Sequence, residues 1–398
     1  MRAAGFSATI ILMNKLRPTF PFLSAHSSRF HFDARRGVSD LASLAAAAAL
    51  AMGCGGASNG ELPTSVTRRS GSVVVDGCTL DAGQQSTLRA TTTRQVLSEV
   101  ILLCLSMQDD GAVGFRDGAS APQITAEITD LRNQGYKVSL GVTAVDASDV
   151  PFTPQHLATL FAQPAWRTQA VAAVVSLAGM VDGIQFAPPQ LLNTSRADVS
   201  AFVTALSQGV RPAKSLGIFA PPSVTDPSDV TGGDAFDVRT LAPLVDRVRL
   251  MTLDYSCCDV PPGPTIDAGW ALDAANLAMP KLASSAQLDV AMPLYGTDFT
   301  APDGQNSVAQ ASVNYDEALA LAAQYQKQIE RGAGDAPNFA YRDAKGNQHQ
   351  VFFDDTRSTL RTLATWTADA LPRSVGVVFY GLGAEDPTLW ANLAQAEK

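Results

Sequence analysis

Residues 124–142, ITAEITDLRNQGYKVSLGV, set the reading of the whole chain. Ile124, Ile128 and Leu131 recur at helical spacing, and Gly135 stands where a glycine just past a helix belongs. Lys137–Val142 then forms an apolar run of strand length. Outward from this helix-to-strand unit, short apolar runs alternate with amphipathic stretches from residue 71 to the end. Eight strands are expected: Val73–Gly77, Val100–Ser106, Lys137–Val142, Asp182–Phe186, Gly217–Ala220, Val248–Leu253, Leu288–Leu294 and Val375–Tyr380. Between them, Ser195 and Asp198 have capping-box spacing ahead of Phe202, Val203 and Leu206. Asp316–Arg331 is expected to be a helix closed by Gly332, and Ser358–Leu371 one stopped by Pro372.

Strands alternating with helices in this number indicate an α/β protein, a closed parallel (β/α)8 TIM barrel. A small α+β insertion is expected between strands seven and eight, holding the Asp316–Arg331 helix and a hairpin around Ala344–Gly346. An open doubly wound sheet would carry a glycine-rich phosphate loop after its first strand, and Gly77-Cys78-Thr79-Leu80 is not one. No internal repeat or second core is visible, so residues 71–398 read as one barrel domain.

The 398 residues carry a net charge of −9 with no lysine or arginine cluster beyond a pair, which excludes a nucleic-acid footprint and a polybasic membrane surface. Five cysteines (54, 78, 104, 257 and 258) and four histidines (26, 31, 156 and 349) show no zinc spacing, so neither metal nor cofactor is expected. Cys104 lies inside an apolar strand and is expected to be a free buried thiol. Cys257 and Cys258 are adjacent, which disfavours a bond between them, and a bond from either to Cys78 would have to cross the barrel mouth.

Arg35-Arg36 precede an apolar run, Leu41 to Met52, that ends in Gly53-Cys54. The run has the length of a signal segment and is too short for a permanent span. Small residues before a cysteine resemble a bacterial lipoprotein signal, which implies cleavage before Cys54 and lipidation there. Residues 1–53 are therefore the targeting segment, with a start that reads as set too far upstream, and residues 54–70 a flexible tether. The implied localisation is export to a bacterial periplasm, outer membrane or cell surface, with membrane contact through the lipid anchor only.

At the strand ends, where a barrel builds its site, several fragments resemble glycoside hydrolase family 18, the chitinase-like barrels. Asp182-Gly183-Ile184 resembles the opening of that family's DGxDxDxE motif. Residues 241–246 and Leu250-Met251-Thr252-Leu253-Asp254-Tyr255 resemble the approach to strand six and its M-T-Y-D-Y end. Met292-Pro293-Leu294-Tyr295-Gly296 resembles the strand-seven P-x-Y-G, Phe352–Ser358 with Asp354-Asp355 the YDD segment, and residues 376–382 the eighth strand. The resemblance implies a mechanism in which the motif's glutamic acid protonates the glycosidic oxygen, the substrate's N-acetyl oxygen attacks, and the preceding aspartate supports the ion. Here Gln185, Ala187 and Pro189 stand at the three catalytic carboxylate positions, Leu253 replaces the strand-six tyrosine, and Tyr380 replaces the platform tryptophan. None of the three can donate a proton to a leaving group.

The expected function is thus an exported glycan-binding pseudo-glycosidase whose partner is a carbohydrate polymer or oligosaccharide, chitin-like or peptidoglycan. Asp182, Gln185, Asp254, Tyr255, Tyr295 and Tyr380 are its candidate substrate contacts, with Trp270 beside the cleft and Asp182 a structural carboxylate at the barrel centre. Trp166, Trp366 and Trp390 are expected to pack in helical stretches. A second reading is an active amino-sugar hydrolase with relocated carboxylates, Asp254 working with Asp109, Asp110 or Glu385. A third is a structural or protein-interaction barrel, which would bury Leu253 and Tyr380 in the cleft.

Overall fold

Apolar runs buried along most of their length become the strands of the computed structural model, which describes residues 62–146, 148–223, 235–256, 261–301 and 309–397. In chain order these are β1 (Gly71–Val75), β2 (Leu97–Met107), β3 (Val113–Phe115), β4 (Lys137–Thr143), β5 (Gly183–Phe186), β6 (Ser215–Ala220), β7 (Arg247–Leu250) and β8 (Leu288–Pro293). An insertion follows, with β9 (Gly296–Ala301), β10 (Ala309–Val313), β11 (Glu330–Arg331), β12 (Pro337–Arg342) and β13 (Gln348–Phe352), and then β14 (Gly376–Tyr380). Parallel pairing runs β1-β14-β8-β7-β6-β5-β4-β2 and returns from β2 to β1, closing the expected eight-stranded barrel. β3 folds back antiparallel on the end of β2 and carries the chain over the rim.

Alternation along each strand sorts side chains into two cores. Outward residues such as Leu102, Val138, Ile184, Val248 and Val290 pack beneath the helices, with Trp166, Trp366 and Trp390 buried among them. Inward residues fill the barrel in layers. The upper filling is apolar: Val74, Ile101, Ala187, Phe219, Met251 and Leu253 meet there with Val378 and Tyr380. The lower layer is charged. Arg249, 1 % exposed, donates to Ser72 Oγ at 2.6 Å, Gln185 Oε1 at 3.1 Å and Glu99 Oε2 at 2.6 Å, and pairs with Asp289 at 2.9 Å. Gly217 and Gly376 make room for it, since a Cβ at either would overlap Gln185 Oε1 or Asp289 Oδ1.

The insertion is the expected α+β element. β10-β9-β13-β12-β11 form an antiparallel sheet covered by the helix Tyr315–Gln324, with Ala318, Ala322, Phe339 and Val351 between them. The hairpin at Ala344–Gly346 forms, with Gly346 at φ +90°. The helix expected over Asp316–Arg331 ends early: Gln326 takes φ +53°, and Glu330–Arg331 pair with Pro337 and Asn338. Edge-strand pairing overrides helical propensity there. The Ser358–Leu371 helix is instead Thr356–Thr365, started by a reciprocal Asp355–Ser358 cap and ended at Trp366.

Three further expectations are corrected. Ser195 makes no cap bond, because it already has helical backbone at the end of a short 3-10 turn, and Asp198 pairs with Arg167 at 2.7 Å instead. Cys104 is not a free thiol but is bonded to Cys78, with Cα atoms 4.5 Å apart. The last residues of the expected tether are docked: Val66 bridges to Glu397, and Arg69 donates to the carbonyls of Trp366, Leu371, Pro372 and Val375. Cys54, the targeting segment, Cys257 and Cys258 lie outside the described residues.

Candidate functional site

The ends of β7, β8 and β14 converge at the barrel mouth. Asp254 follows β7 in the left-handed region at φ +56°, which turns its carboxylate toward β8. Tyr295, just past β8, donates its phenol to Asp254 Oδ1 at 2.8 Å. Burial raises the Asp254 carboxyl to about 6, against the lowering effect of the Tyr295 bond. Burial and the adjacent carboxylate push the Tyr295 phenol well above its ordinary value. Tyr380 meets Tyr295 edge to face at 6.5 Å between ring centres. Leu253 and Tyr380 are both buried, 3 % and 8 % exposed, so the centre of the mouth has an apolar floor. Tyr255 stands above it at 43 % exposure, tilted against Trp270 at 5.2 Å.

The structure thus brings Asp254, Tyr255, Tyr295 and Tyr380 together at the mouth, with Trp270 beside them. It does not bring Asp182 or Gln185 there. Asp182 is not at the barrel centre: it precedes β5 on the outside, paired with Arg132 at 2.9 Å and accepting Val138 N–H at 2.9 Å. Burial raises its pKa, but these bonds prevail and hold it below the usual carboxylate range. Gln185 points inward but one layer too low, held by Arg249. It is therefore part of the barrel's charged base. Ala187 is part of the apolar floor, and Pro189 lies beyond the strand end, also buried.

The acids considered as relocated partners of Asp254 face elsewhere. Asp109 pairs with His156 at 2.5 Å on the outer helix Pro154–Phe161. Asp110 accepts Ala112 N–H within the β2–β3 turn. Glu385 accepts the Trp390 indole at 2.9 Å behind β14. Sequence reading missed other mouth groups. Asp76, Arg116 and Asp149 form an ion-paired cluster at the ends of β1, β3 and β4. Asp354, singled out in the sequence only through the YDD-like segment, is buried, which raises its carboxyl to about 7 against the hydrogen bond from Ser358. Asp76 directly follows the first strand, so its position carried a signal; Arg116 and Asp149 sit on loops whose path no local pattern gives.

Comparison with known proteins places this geometry. A chitinase from Chromobacterium violaceum ATCC 12472 superposes with a TM-score of 0.68 at 22 % identity, covering 82 % of this chain and 98 % of that one. The Bacillus cereus spore cortex-lytic enzyme SleL gives 0.67 at 19 % identity, covering 84 % and 76 %. The fold is a chitinase-like barrel. By sequence, this barrel is 22 % identical over 286 residues to the cortical fragment-lytic enzyme of Bacillus cereus, 70 % of this chain and 65 % of that protein. It is 27 % identical over 162 residues to the Bacillus subtilis (strain 168) cortical fragment-lytic enzyme, 40 % and 37 % of the two chains. The matches thus span less than two thirds of these curated relatives. No family model matches the chain. Within the chitinase-like barrel, the inward positions after Asp182 carry an amide in an ion-pair layer and a methyl in an apolar floor. Neither can supply a proton.

Proposed function

We propose that this chitinase-like barrel is an exported glycan-binding protein that holds an amino-sugar polymer, chitin-like or peptidoglycan, without cleaving it by the two-carboxylate or substrate-assisted routes. The observation that carries this is the inward face of β5, where Gln185 and Ala187 are built into the barrel's own packing. With Leu253 and Tyr380 closing the floor, a sugar ring rests on the rim, its apolar C–H face against exposed Tyr255 and its hydroxyls toward Asp254. Attachment at Cys54 would hold the barrel at a membrane through lipid alone.

Calorimetric titration with N-acetylglucosamine oligomers and peptidoglycan fragments tests this, with product analysis of the same mixtures. Saturable binding without products is expected, and Tyr255→Ala should weaken it about tenfold, the effect of one stacking contact of 1–2 kcal/mol. Absence of binding would leave a structural or protein-interaction barrel. One observation favours the hydrolytic alternative: Asp254, partly exposed and raised to about 6, has the pKa of a general acid. Products that vanish in Asp254→Asn would establish that alternative.

A further inference from the structure

The insertion carries a cluster of titratable groups away from the rim contact. His349, on β13, lies between two carboxylates that come from different elements. Its Nδ1 is 2.9 Å from both oxygens of Asp298 on β9 and 3.2 Å from Thr300 Oγ1. Its Nε2 faces Asp343 Oδ2 at 3.5 Å, in the turn between β12 and β13. The Tyr341 phenol donates to Asp298 Oδ2 at 3.0 Å, and its ring stacks on the imidazole with centres 4.3 Å apart. Burial and the Asp298 carboxylate push that phenol above its ordinary value, so it stays a donor. Tyr325, just past the helix Tyr315–Gln324, stacks on Tyr341 in turn at 4.2 Å. Among the described residues, the titratable groups against the imidazole are thus Asp298, Asp343 and Tyr341, with Tyr325 against Tyr341.

The two ring nitrogens are not equally served. A carboxylate accepts only, so Nδ1 carries the hydrogen that points at Asp298. A neutral imidazole then has a bare lone pair at Nε2. That atom is buried and has no hydrogen-bond partner in place, with a carboxylate oxygen in front of it. A proton on Nε2 turns this mismatch into an N–H aimed at Asp343. Asp343 is also the group that folds the turn: its Oδ1 accepts the Lys345 and Asn347 N–H groups, and its Oδ2 the Asn347 amide. A bond from His349 to Asp343 therefore closes the turn onto the sheet.

We propose that His349 is a proton-operated clamp: protonated, it bridges Asp298 on β9 to Asp343 in the β12–β13 turn, and neutral, it holds Asp298 alone. The clamp tightens the insertion as the solution becomes acidic and loosens it as pH rises. Histidine is the side chain type whose charge changes between about pH 5 and 8. β9 begins directly after Tyr295 and β13 ends two residues before Asp354, so the clamped sheet joins the mouth at both ends. The clamp is independent of what the mouth binds.

The test is hydrogen–deuterium exchange of the whole protein at about pH 5.5 and about pH 8, read by mass spectrometry over residues 338–352 and corrected for intrinsic rates. Wild type should be about tenfold better protected in that segment at the lower pH, the effect of one charge-assisted hydrogen bond. His349→Gln keeps a donor for Asp298 but does not titrate, and should show no such gain; Asp343→Asn should remove it as well. Asp254 and Asp354, raised to about 6 and about 7, titrate in the same interval. A pH effect that survives in His349→Gln belongs to other groups and overturns the clamp. Equal protection of wild type at both pH values overturns it too, as does an effect that Asp343→Asn leaves intact. Should a variant fail to fold, the ring-nitrogen spectrum of wild type labelled with 15N-histidine decides, His349 being identified by its contact with the Tyr341 ring. A second ring proton gained on acidification supports the clamp, and an imidazole that stays singly protonated at the lower pH ends it.

Discussion

Arg249 is the residue on which the barrel's base depends. Its guanidinium compensates both Glu99 and Asp289, and Arg247 is a second partner of Asp289 at 3.3 Å. Arg249→Met should cost about 3–5 kcal/mol by leaving two buried acids facing each other, whereas replacing Arg249, Glu99 and Asp289 together by apolar residues should recover most of it. Denaturant midpoints of the single and triple variants check this. Asp254 works in the opposite sense. Its folded pKa, about 6, lies above the ordinary 3.8, so the folded chain holds this proton more tightly than the unfolded one. Its contribution therefore favours folding at low pH and is lost as pH rises from about 4 through about 6. Asp254→Asn should stabilise the protein by about 1–3 kcal/mol at pH 8 and hardly at pH 3.5, read from urea melts at both values.

The disulfide is an effect of an element, not of composition. The pairing of β2 with β4 shifts between Leu102 and Leu105, so a bulge places both Cys104 and Leu105 on the outer side of the strand. Gly77 at φ +135° turns the end of β1 so that Cys78 meets Cys104 there. Cys78→Ala with Cys104→Ala should lower stability by about 2–4 kcal/mol, visible as a lowered melting temperature that matches wild type under reductant. Strand positions were legible in the sequence because apolar runs report burial directly, and all eight barrel strands lie where the runs do. The bulge was not legible, since Val100–Ser106 is apolar throughout and carries no alternation to break. Helix ends misread for a related reason: Asp316–Arg331 keeps helical composition past Gln326, and only the sheet partner Pro337–Asn338 takes its last residues away. At the mouth, Asp254, Tyr295 and Tyr380 could be found because each stands at a strand end with a recognisable pattern. Asp76, Arg116 and Asp149 could not be grouped, because their meeting depends on the β2–β3 hairpin and the loop after β4.

On the scale of the whole molecule, the barrel has a charged base, an apolar middle and a polar rim. Arg69 binds the carbonyls of the segment that leads into β14, and Val66 bridges to Glu397, so residues 66–69 dock on the barrel at the end away from the mouth. In the middle, Ala187 stands at the position of the resembled motif's second inner aspartate and packs with Phe219, Met251 and Leu253. Restoring a carboxylate at Pro189 alone should therefore give no turnover, as the floor beneath it would still be closed. The central claim is binding at the rim without cleavage. The most direct measurement is calorimetric titration of the purified protein with N-acetylglucosamine oligomers, followed by mass spectrometry of the same samples after prolonged incubation. Saturable binding with every oligomer recovered intact is the predicted result. Shortened oligomers whose formation is abolished in Asp254→Asn would contradict it and assign the barrel to the hydrolases.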